Sequence, residues 1–559
     1  MKKILFFILS ITIFTNCSLE MLPETELSDA GFWKSEKELR GACNRLYENS
    51  QLDGFSHDRR SDELVATGAD GISNGSRSIP ATSDDWKKPY DRIYVSNNII
   101  DKSANTGLQE NIRNRWIAEA HFFRAYNYFI LVKRYGGVPL ILKSFDDPND
   151  PEAFKGRNTL EEVIAQCYAD LEFAAQYLPT RASLSEADWG RVTRSAALAM
   201  TARIGLYIGT LTKYHNLSGS DSKAHLKKSI DAFELLAKEG HNLYPDFQKL
   251  FTMDGEGSAN KENIFVRIYG PNGAPTVYHG NSRGMENAVS LTRQMVDQFL
   301  YIDGLPREKS ALKPAVETSF NSALEKRDPR LTMTVFSLDE EAFKGPYQPF
   351  ANQHGNGYSL KKGFMIDQWN TTNREYVDKM LIRYGEMLVT YAEALYEYNN
   401  TITDAQLDAT VNLLRARAGF KNATNVVVKL TNDFVTSNGL NMLDEIRRER
   451  TVELIDEGFR YDDIIRWKIA EKVLPVDMIG AKLVDSEVQS GKRENLKTRL
   501  TDANGKLNGK QVYDQPDMYV IELAESRKFD PAKDYLYPIP VNEIALTNNA
   551  ITQNPGWDK

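Results

Sequence analysis

Hydrophobic residues recur every three or four positions over most of the chain, which is the spacing of amphipathic helices. The clearest case runs from Asn111 to Tyr135, where Ile112, Trp116 and Phe123 share one face. Two glycines and then a proline follow this stretch, and both residue types end helices. The pattern predicts a mainly helical protein.

The predicted helices come in antiparallel pairs. The pairs join 111–135 with 159–178, 193–212 with 223–239, and 383–399 with 404–418. Further helices are predicted over 33–50 and 86–104. Alanine and glycine are frequent in 193–212 and allow two helices to approach closely. The predicted fold class is mainly α: a tetratricopeptide-like scaffold of helical hairpins with long loop excursions and minor β-hairpins.

Long polar segments interrupt the helical pairs and are the expected place for a binding surface. Residues 52–85, 250–290 and 471–533 are rich in turn-forming and charged residues, and binding residues concentrate in loops on a rigid scaffold. Aromatic rings offer flat apolar faces to sugars or peptide side chains. The ligand-binding candidates are Arg77, Tyr269, Tyr278, His279, Asn281, Arg283 and Trp369. For each of them, a packed or solvated loop residue is the alternative.

The N-terminus has the pattern of a bacterial lipoprotein signal. Two lysines precede an apolar run from Ile4 to Phe14, which is too short to span a bilayer and lies just before Cys17. Asn16 departs from the small residue that usually precedes a lipidated cysteine. An ordinary secretory signal with a chance cysteine is the alternative. The predicted segments are a signal peptide over 1–16, lipidated Cys17 with an acidic tether over 17–30, and one domain over 31–559.

Composition and charge narrow the possible partners. The chain has 559 residues with 69 basic and 77 acidic side chains, a net charge of −8, and no basic run, so nucleic acid is not an expected partner. Cys43 and Cys167 lie in helical patterns and are predicted to be buried free thiols, with a disulfide between them as the alternative. With no Cys-x-x-Cys motif and only 7 histidines, neither a metal nor a cofactor is predicted.

Two patterns resemble catalytic motifs without their context. Ser73 and Ser282 each stand in a Gly-x-Ser-x-Gly sequence, but a hydrolase elbow needs a buried strand before the serine and a helix after it. The stretch from Asp444 to Trp467 is predicted to be one charged helix with glutamates four residues apart. We interpret it as an ion network that sets helix packing. The expected partners are the local Arg447, Arg450, Arg460 and Arg466, and Arg383, Arg415 and Arg417 from the preceding helix pair. Acid–base catalysis is the alternative for these glutamates.

Several segments resemble the SusD/RagB family in order and spacing. They are 115–140 (RWIAEAHFFRAYNYFILVKRYGGVPL), 294–306 (QMVDQFLYIDGLP), 327–331 (RDPRL), 382–396 (IRYGEMLVTYAEALY), 412–419 (NLLRARAG), 446–467 (IRRERTVELIDEGFRYDDIIRW) and 537–557 (YPIPVNEIALTNNAITQNPGW). Together they extend over nearly the whole chain after Cys17. Residues 31–559 are therefore expected to form a single SusD-like domain, with an N-terminal helical part over about 31–280 and a C-terminal part over about 281–559.

The resemblance implies a nutrient-uptake lipoprotein, anchored by lipid to the extracellular face of the outer membrane in Bacteroidetes-type bacteria. Such a protein would capture oligosaccharide, or peptide in the RagB branch, and deliver it to a SusC-like TonB-dependent transporter without catalysis of its own. Two rival interpretations are a secreted hydrolase with a helical body and a tetratricopeptide scaffold that binds proteins. The lack of a specific catalytic constellation argues against the first, and the lipoprotein signal argues against the second.

Overall fold

The computed structural model describes residues 32–558, apart from 67, 69, 105, 146, 148, 272–275, 343–344, 351–354, 372–373, 485–508 and 513. The predicted signal peptide, Cys17 and the tether lie outside the described residues. None of the described helices combines the length and apolar character needed to cross a bilayer.

The N-terminal half contains two of the three predicted helix pairs. Its helices are α1 (Glu36–Asn44), α2 (Asp84–Ser103), α3 (Glu110–Tyr135), α4 (Leu160–Tyr177), α5 (Arg194–His215) and α6 (Ser222–Leu236). Most of their bounds agree with the periodicity to within three residues. The first helix is shorter than predicted because it passes into a 3₁₀ turn at Arg45. Trp33, predicted to lie in this helix, precedes it with a positive φ of 74° and is buried.

The C-terminal half has shorter elements. Its helices are α7 (Asn281–Ala288), α8 (Arg293–Val296), α9 (Arg330–Thr334), α10 (Ile366–Trp369), α11 (Tyr384–Asn399), α12 (Asp404–Asp408), α13 (Val411–Arg417), α14 (Asn432–Ser437), α15 (Met442–Glu453), α16 (Arg460–Arg466), α17 (Ala470–Val473) and α18 (Val541–Leu546). The single helix predicted over 404–418 is divided into α12 and α13.

Local chemistry explains where several helices begin and end. Thr159 and Glu162 form a capping box at the start of α4, in which each side chain bonds to the backbone N–H of the other residue. At the end of α3, Gly136 has a φ of 71° and its N–H bonds to the Val132 carbonyl. The residues that set the start of α4 and the end of α3 therefore lie within or next to the helices themselves.

Small residues bring α5 and α6 together as predicted. A Cβ added at Gly205 would lie 2.7 Å from the carbonyl oxygen of His225, on α6. Real side chains do not fit at that distance, so this glycine is needed for the close packing. The mainly helical, tetratricopeptide-like fold class is confirmed.

The strands form small antiparallel sheets. They are β1 (Leu64–Val65), β2 (Asn263–Arg267), β3 (Ser290–Leu291), β4 (Glu341–Ala342), β5 (Gly345–Pro346), β6 (Lys379–Arg383), β7 (Met478–Lys482), β8 (Gly509–Val512) and β9 (Gln515–Glu522). The pairings are β1–β3, β2–β6, β4–β5 and β7–β9–β8. The ends of the pair β2–β6 continue into the predicted binding loops.

Two large apolar clusters fill the interior. The first contains side chains from Trp33 to Ile551 and is built mainly on α2–α5. The second is built mainly from side chains between Met285 and Leu360, with Leu64, Val452, Ile455, Ala481, Leu483 and Tyr519 packed against them. Cys43 and Cys167 are buried and free, which confirms the free-thiol prediction and excludes the disulfide alternative.

The predicted charged helix from Asp444 to Trp467 is not continuous. Helix α15 ends at Glu453, and α16 begins only at Arg460. Between them, Asp456 and Gly458 adopt positive φ values of 60° and 81°, which an α-helix cannot contain. The break separates Glu453 from Glu457, which would repel each other on a continuous helix.

Candidate functional site

The second predicted loop forms an irregular hairpin that extends the β2–β6 sheet. Beyond β2, Gly270 bridges to Val277, and His279 bridges to Glu375 in the segment that leads into β6. Gly270 has a φ of 71°, and a Cβ there would lie 2.6 Å from Cβ of Tyr376. The glycine therefore permits both the turn and the close approach of the two segments.

A buried carboxylate holds the end of this hairpin. Glu375 accepts hydrogen bonds from the backbone N–H groups of Ser282 (2.7 Å) and Arg283 (3.3 Å). These groups lie in the first turn of α7, where a negative charge is favourable. Glu375 thus fixes α7 against the segment before β6.

Aromatic rings pack between the hairpin and the first loop. The ring centroid of Phe55 lies 4.4 Å from that of His279 and 5.8 Å from that of Tyr269. Tyr269 and His279 meet edge to face at 4.7 Å. Tyr269 is buried, so this cluster joins the two predicted loops into one unit.

His279 is held in one neutral form. Its Nδ1 accepts a hydrogen bond from the Asn281 N–H (3.1 Å), so its Nε2 is the donor to the Val377 carbonyl (3.0 Å). Burial lowers the pKa of His279 to about 4. The ring is therefore a neutral packing and hydrogen-bonding element at ordinary pH.

A pair of exposed tyrosines lies on the outside of the hairpin. Because His279 faces Glu375 in an antiparallel bridge, the register places Tyr278 opposite Tyr376. Their exposed fractions are 42% and 36%. Both exposed rings present apolar faces to solvent on neighbouring segments.

An arginine and a tryptophan extend this surface. The guanidinium carbon of Arg283 lies 4.4 Å from the ring centroid of Trp369, and Nε donates to the Trp369 carbonyl (3.0 Å). Gln368, next to Trp369, accepts a hydrogen bond from the Tyr376 N–H (2.8 Å). The helical turn α10 is thus fixed beside the tyrosine pair. We call Tyr278, Tyr376, Trp369 and Arg283 the aromatic surface.

A carboxyl group beneath the hairpin has an unusual proton affinity. Asp378 accepts a hydrogen bond from the Tyr269 N–H (2.8 Å) and donates its own N–H to Glu256 (2.7 Å). Burial, with a further contribution from the charge of Glu256, raises the pKa of Asp378 to about 7. This group changes charge near neutral pH.

The predicted binding residues divide into three groups. Tyr278, Arg283 and Trp369 lie on the aromatic surface, whereas Tyr269, His279 and Asn281 pack beneath it. Arg77 lies elsewhere: it donates to the carbonyls of Asp534 and Leu536 and stacks on aromatic rings of the C-terminal segment. A binding role for any of these residues stays a prediction.

Sequence reasoning missed Phe55 and Tyr376. Tyr376 stands in a short polar stretch with no hydrophobic period, so the only available signal was an aromatic residue just before a strand. Its position opposite Tyr278 depends on the register of distant segments.

The two serine motifs serve as structural contacts. The Ser73 hydroxyl donates to the Ser61 carbonyl (3.0 Å) and accepts from Arg527 (3.0 Å). The Ser282 hydroxyl accepts from the Met365 N–H (3.1 Å). Both serines are buried, and neither hydroxyl contacts a histidine in the part of the chain that the structure describes.

The charged stretch forms a buried ion network, as interpreted from sequence. Glu453 contacts Arg383 (2.8 Å), Arg330 (3.0 Å) and Arg417. Arg383 also contacts Glu457 (2.7 Å). Arg330, more than a hundred residues away in sequence, was missed because only nearby and preceding-pair arginines had been considered.

The network anchors the sheet that carries the site. Glu262, directly before β2, contacts Arg383 at the end of β6 (2.9 Å) and Arg417 (3.1 Å). Glu449 contacts Arg330 (2.7 Å) and Arg415 (2.9 Å). Every one of these carboxylates is ion-paired, which suits a structural role.

No group of three or more potential metal-ligating side chains occurs within the described ranges. The arrangement that remains is an exposed aromatic and cationic surface on a rigid helical scaffold. Fold and site together define a helical-repeat protein with candidate binding residues on its loops.

Comparison with known proteins identifies the family. Residues 250–557 match the SusD family, and residues 55–206 match a family described as "Starch-binding associating with outer membrane". The first match covers more than half of the chain, so the chain belongs to the SusD family, as its sequence motifs predicted.

Individual relatives agree over almost their whole length. SusD-like protein P2 of Formosa agariphila is 24% identical, covering 99% of each chain. A SusD-like protein of Bacteroides ovatus is 22% identical, covering 99% of this chain and 98% of its own. The crystal structure of a SusD-like carbohydrate binding protein from Bacteroides fragilis superposes with a TM-score of 0.71 at 24% identity, covering 93% of this chain and 99% of the other.

Proposed function

We propose that this protein binds oligosaccharide on the aromatic surface and delivers it, chemically unchanged, to a SusC-like TonB-dependent transporter in the outer membrane. The observation that carries the proposal is the exposed pair Tyr278 and Tyr376 beside Trp369. The Bacteroides fragilis neighbour is described as carbohydrate binding, which supports a sugar over a peptide.

Aromatic faces suit sugars for a physical reason. A pyranose presents apolar C–H groups on one face and hydroxyls around its edge, so a ring can cover the face while polar groups bond the edge. Tyr278, Tyr376 and Trp369 supply the rings, and Arg283 supplies donors. Tyr269, His279 and Asn281 would hold the surface in shape from below.

The proposed location is the extracellular face of the outer membrane, with Cys17 as the lipid anchor. Residues 55–206 match a family described as associating with the outer membrane, which supports this location. The N-terminal sequence pattern supports it as well. Membership of the SusD family supports the proposed transporter partner, to which captured sugar would pass.

We propose binding without catalysis. The Ser73 and Ser282 hydroxyls are committed to backbone and arginine contacts, and the glutamates of the charged stretch are occupied by arginines. A hydrolase would instead need a carboxylate pair or an activated serine open to substrate.

The test is a glycan and peptide array followed by calorimetric titration of the strongest binder. A ring face that covers about 60 Å² of apolar sugar surface contributes about 1.5 kcal/mol, so Tyr278→Ala, Tyr376→Ala and Trp369→Ala should each weaken binding about tenfold. Tyr94→Ala is the matched control, because Tyr94 is an exposed tyrosine on α2.

The outcome can contradict the proposal in three ways. Full affinity in all three variants, with unchanged melting temperatures, would remove the aromatic surface from the binding site. Binding of peptides but no glycans would refute the ligand class, and release of shortened glycan would refute the absence of catalysis.

A further inference from the structure

Two positive side chains face each other on the sheet below the aromatic surface. The register of β2 and β6 places Arg267 opposite Lys379, and like charges at opposed positions destabilise a sheet. Natural sheets usually offset such a pair with neighbouring carboxylates.

Neither of these side chains contacts a carboxylate in the described part of the chain. Arg267 donates to the Leu52 carbonyl (2.6 Å) and to the Asn49 amide oxygen. Lys379 donates to the Gly54 carbonyl (2.7 Å). Burial lowers the pKa of both groups. Both groups are thus held by neutral oxygens, and the carboxylates of Asp53, Asp456 and Glu457 act on Lys379 without direct contact.

Lys379 lines a large cavity behind the first loop. The cavity has a volume of about 550 Å³ and lies between residues 53–60, α3, α5 and the start of α16. His57 and Arg59 line the same cavity. An ammonium group has three donors, so Lys379 has two beyond the one that it gives to Gly54.

His57 and Arg59 add positive character next to Lys379. His57 Nδ1 contacts Asp456 (2.9 Å), and its Nε2 has no hydrogen-bond partner among the residues described. Burial acts against protonation of His57, but the carboxylate of Asp456 more than offsets it, so the pKa of His57 is raised. The charges of Lys379 and Arg59 oppose that rise. The three groups therefore share one electrostatic environment.

Arg59 is exposed and makes no ion pair with any described residue, whereas most carboxylates around the cavity are already occupied. The paired ones are Asp53 with Arg92, Asp58 with Arg60, Asp84 with Lys88, Glu457 with Arg383 and Lys362, Asp462 with Lys133 and Arg134, and Asp463 with Arg450 and Arg466. Of the other two, Asp70 caps the backbone N–H of Ile72 and Asp85 is exposed on α2. Lys379 and Arg59 therefore keep donors that no carboxylate of the lining occupies.

We propose that this cavity is a subsite for a negatively charged sugar group, a uronic acid carboxylate or a sulfate ester, held by Lys379, His57 and Arg59. The inference rests on the proposed function and narrows its ligand class to acidic glycans. The aromatic cluster connects the two sites, since Phe55 lies 4.4 Å from the His279 ring and 5.9 Å from Lys379 Nζ.

The test compares charged and neutral forms of the same sugar. Purified protein carrying Cys17→Ser is screened against neutral, uronic-acid-containing and sulfated oligosaccharides. The strongest binder is then titrated beside its carboxyl-reduced or desulfated derivative. An ionic hydrogen bond contributes enough for about a tenfold change in Kd or more, so the acidic form should bind at least tenfold more tightly, and high salt should reduce the difference.

Substitutions locate the effect. Arg59→Gln and Lys379→Met should each weaken binding of the acidic form about tenfold and leave the neutral form unchanged, and Lys379→Arg should restore part of the loss. Arg59→Gln alters an exposed residue and does not threaten folding. Lys37→Met, an exposed change on α1, is the control.

Each outcome bears on a different claim. If no glycan binds, the proposed function fails and the inference with it. Preference for neutral glycans, or equal affinity for charged and neutral forms, overturns the inference alone. Equal binding of polyglutamate would overturn the assignment to an acidic sugar.

Discussion

Replacing Glu453 by glutamine should destabilise the protein, because this carboxylate neutralises three guanidinium groups in the interior. Glu453 is fully buried and contacts Arg383, Arg330 and Arg417. Glutamine has the same shape but no charge, and its NH₂ group would face an arginine donor. The substitution therefore leaves buried positive charge without its partner.

The magnitude follows from the burial of the network. Removing one partner of a buried ion pair costs about 3–5 kcal/mol, and glutamine retains one acceptor oxygen, which favours the lower end. A chain of 559 residues has an unfolding entropy of about 1.2 kcal mol⁻¹ K⁻¹. A loss of about 3 kcal/mol should then lower Tm by about 2–4 °C.

Differential scanning calorimetry at neutral pH measures this change directly. The control is Asp408→Asn, which breaks an exposed ion pair with Lys429 (3.0 Å) and should change stability by about 1 kcal/mol or less. Glycan affinity should stay the same in both variants. A Glu453→Gln protein that melts at the parent temperature would refute the structural interpretation of the network.

The pH dependence of this variant has a defined sign. Burial raises the pKa of Glu453, but Arg417, Arg383 and Arg330 more than offset it and hold the pKa well below the ordinary 4.5. The stabilisation is therefore present above pH 4.5 and is lost as the pH falls below it. The parent and Glu453→Gln melting temperatures should converge in strong acid.

Two further predictions concern the site and the anchor. The pKa of Asp378 is about 7 in the folded protein against an ordinary 3.8, so stability should fall as the pH rises from about 4 to about 7. Denaturant titrations at about pH 5 and about pH 8 measure that fall in the free energy of unfolding, and Asp378→Asn should make it smaller. An equal fall in the parent and the variant would contradict the prediction. Metabolic labelling with palmitate should mark the parent and not Cys17→Ser, and an unlabelled parent would exclude the proposed anchor.

Helical periodicity predicted the scaffold because its signals are local. The apolar stripe of α3 and the glycines after it are readable within the stretch itself, as is the capping box of α4. The small residues of α5 also predicted its close packing, now explained by Gly205. Such signals need no knowledge of partners.

The break in the charged stretch and the partners of its ion network depend on contacts between distant segments. The turn between α15 and α16 lies in a sequence that keeps the spacing of a helix, and only the positive φ at Asp456 and Gly458 breaks it. Arg383 occupies the resulting space and contacts both Glu453 and Glu457. Arg383 was expected among the arginine partners, but a single-helix prediction could not place it between Glu453 and Glu457.

The candidate site shows the same division. Tyr278 and Trp369 could be chosen as aromatic residues in polar loops. Tyr376 could not, because the pairing of distant segments brings it opposite Tyr278, and Phe55 could not, because it packs on Tyr269 and His279 from another loop. Arg77 was chosen for its position in the first polar loop and lies against the C-terminal segment instead. Composition identifies candidates, whereas strand register decides which of them meet.

The β2–β6 pair explains how one scaffold can separate stability from recognition. At one end, Glu262 and Arg383 connect the strands to the buried ion network. At the other end, the same strands continue into the hairpin that carries Tyr278 and Tyr376. Because the ends are several residues apart, Tyr278→Ala should change affinity at constant Tm, and Glu453→Gln should change Tm at constant affinity. Coupled losses in both variants would mean that the network also shapes the binding surface.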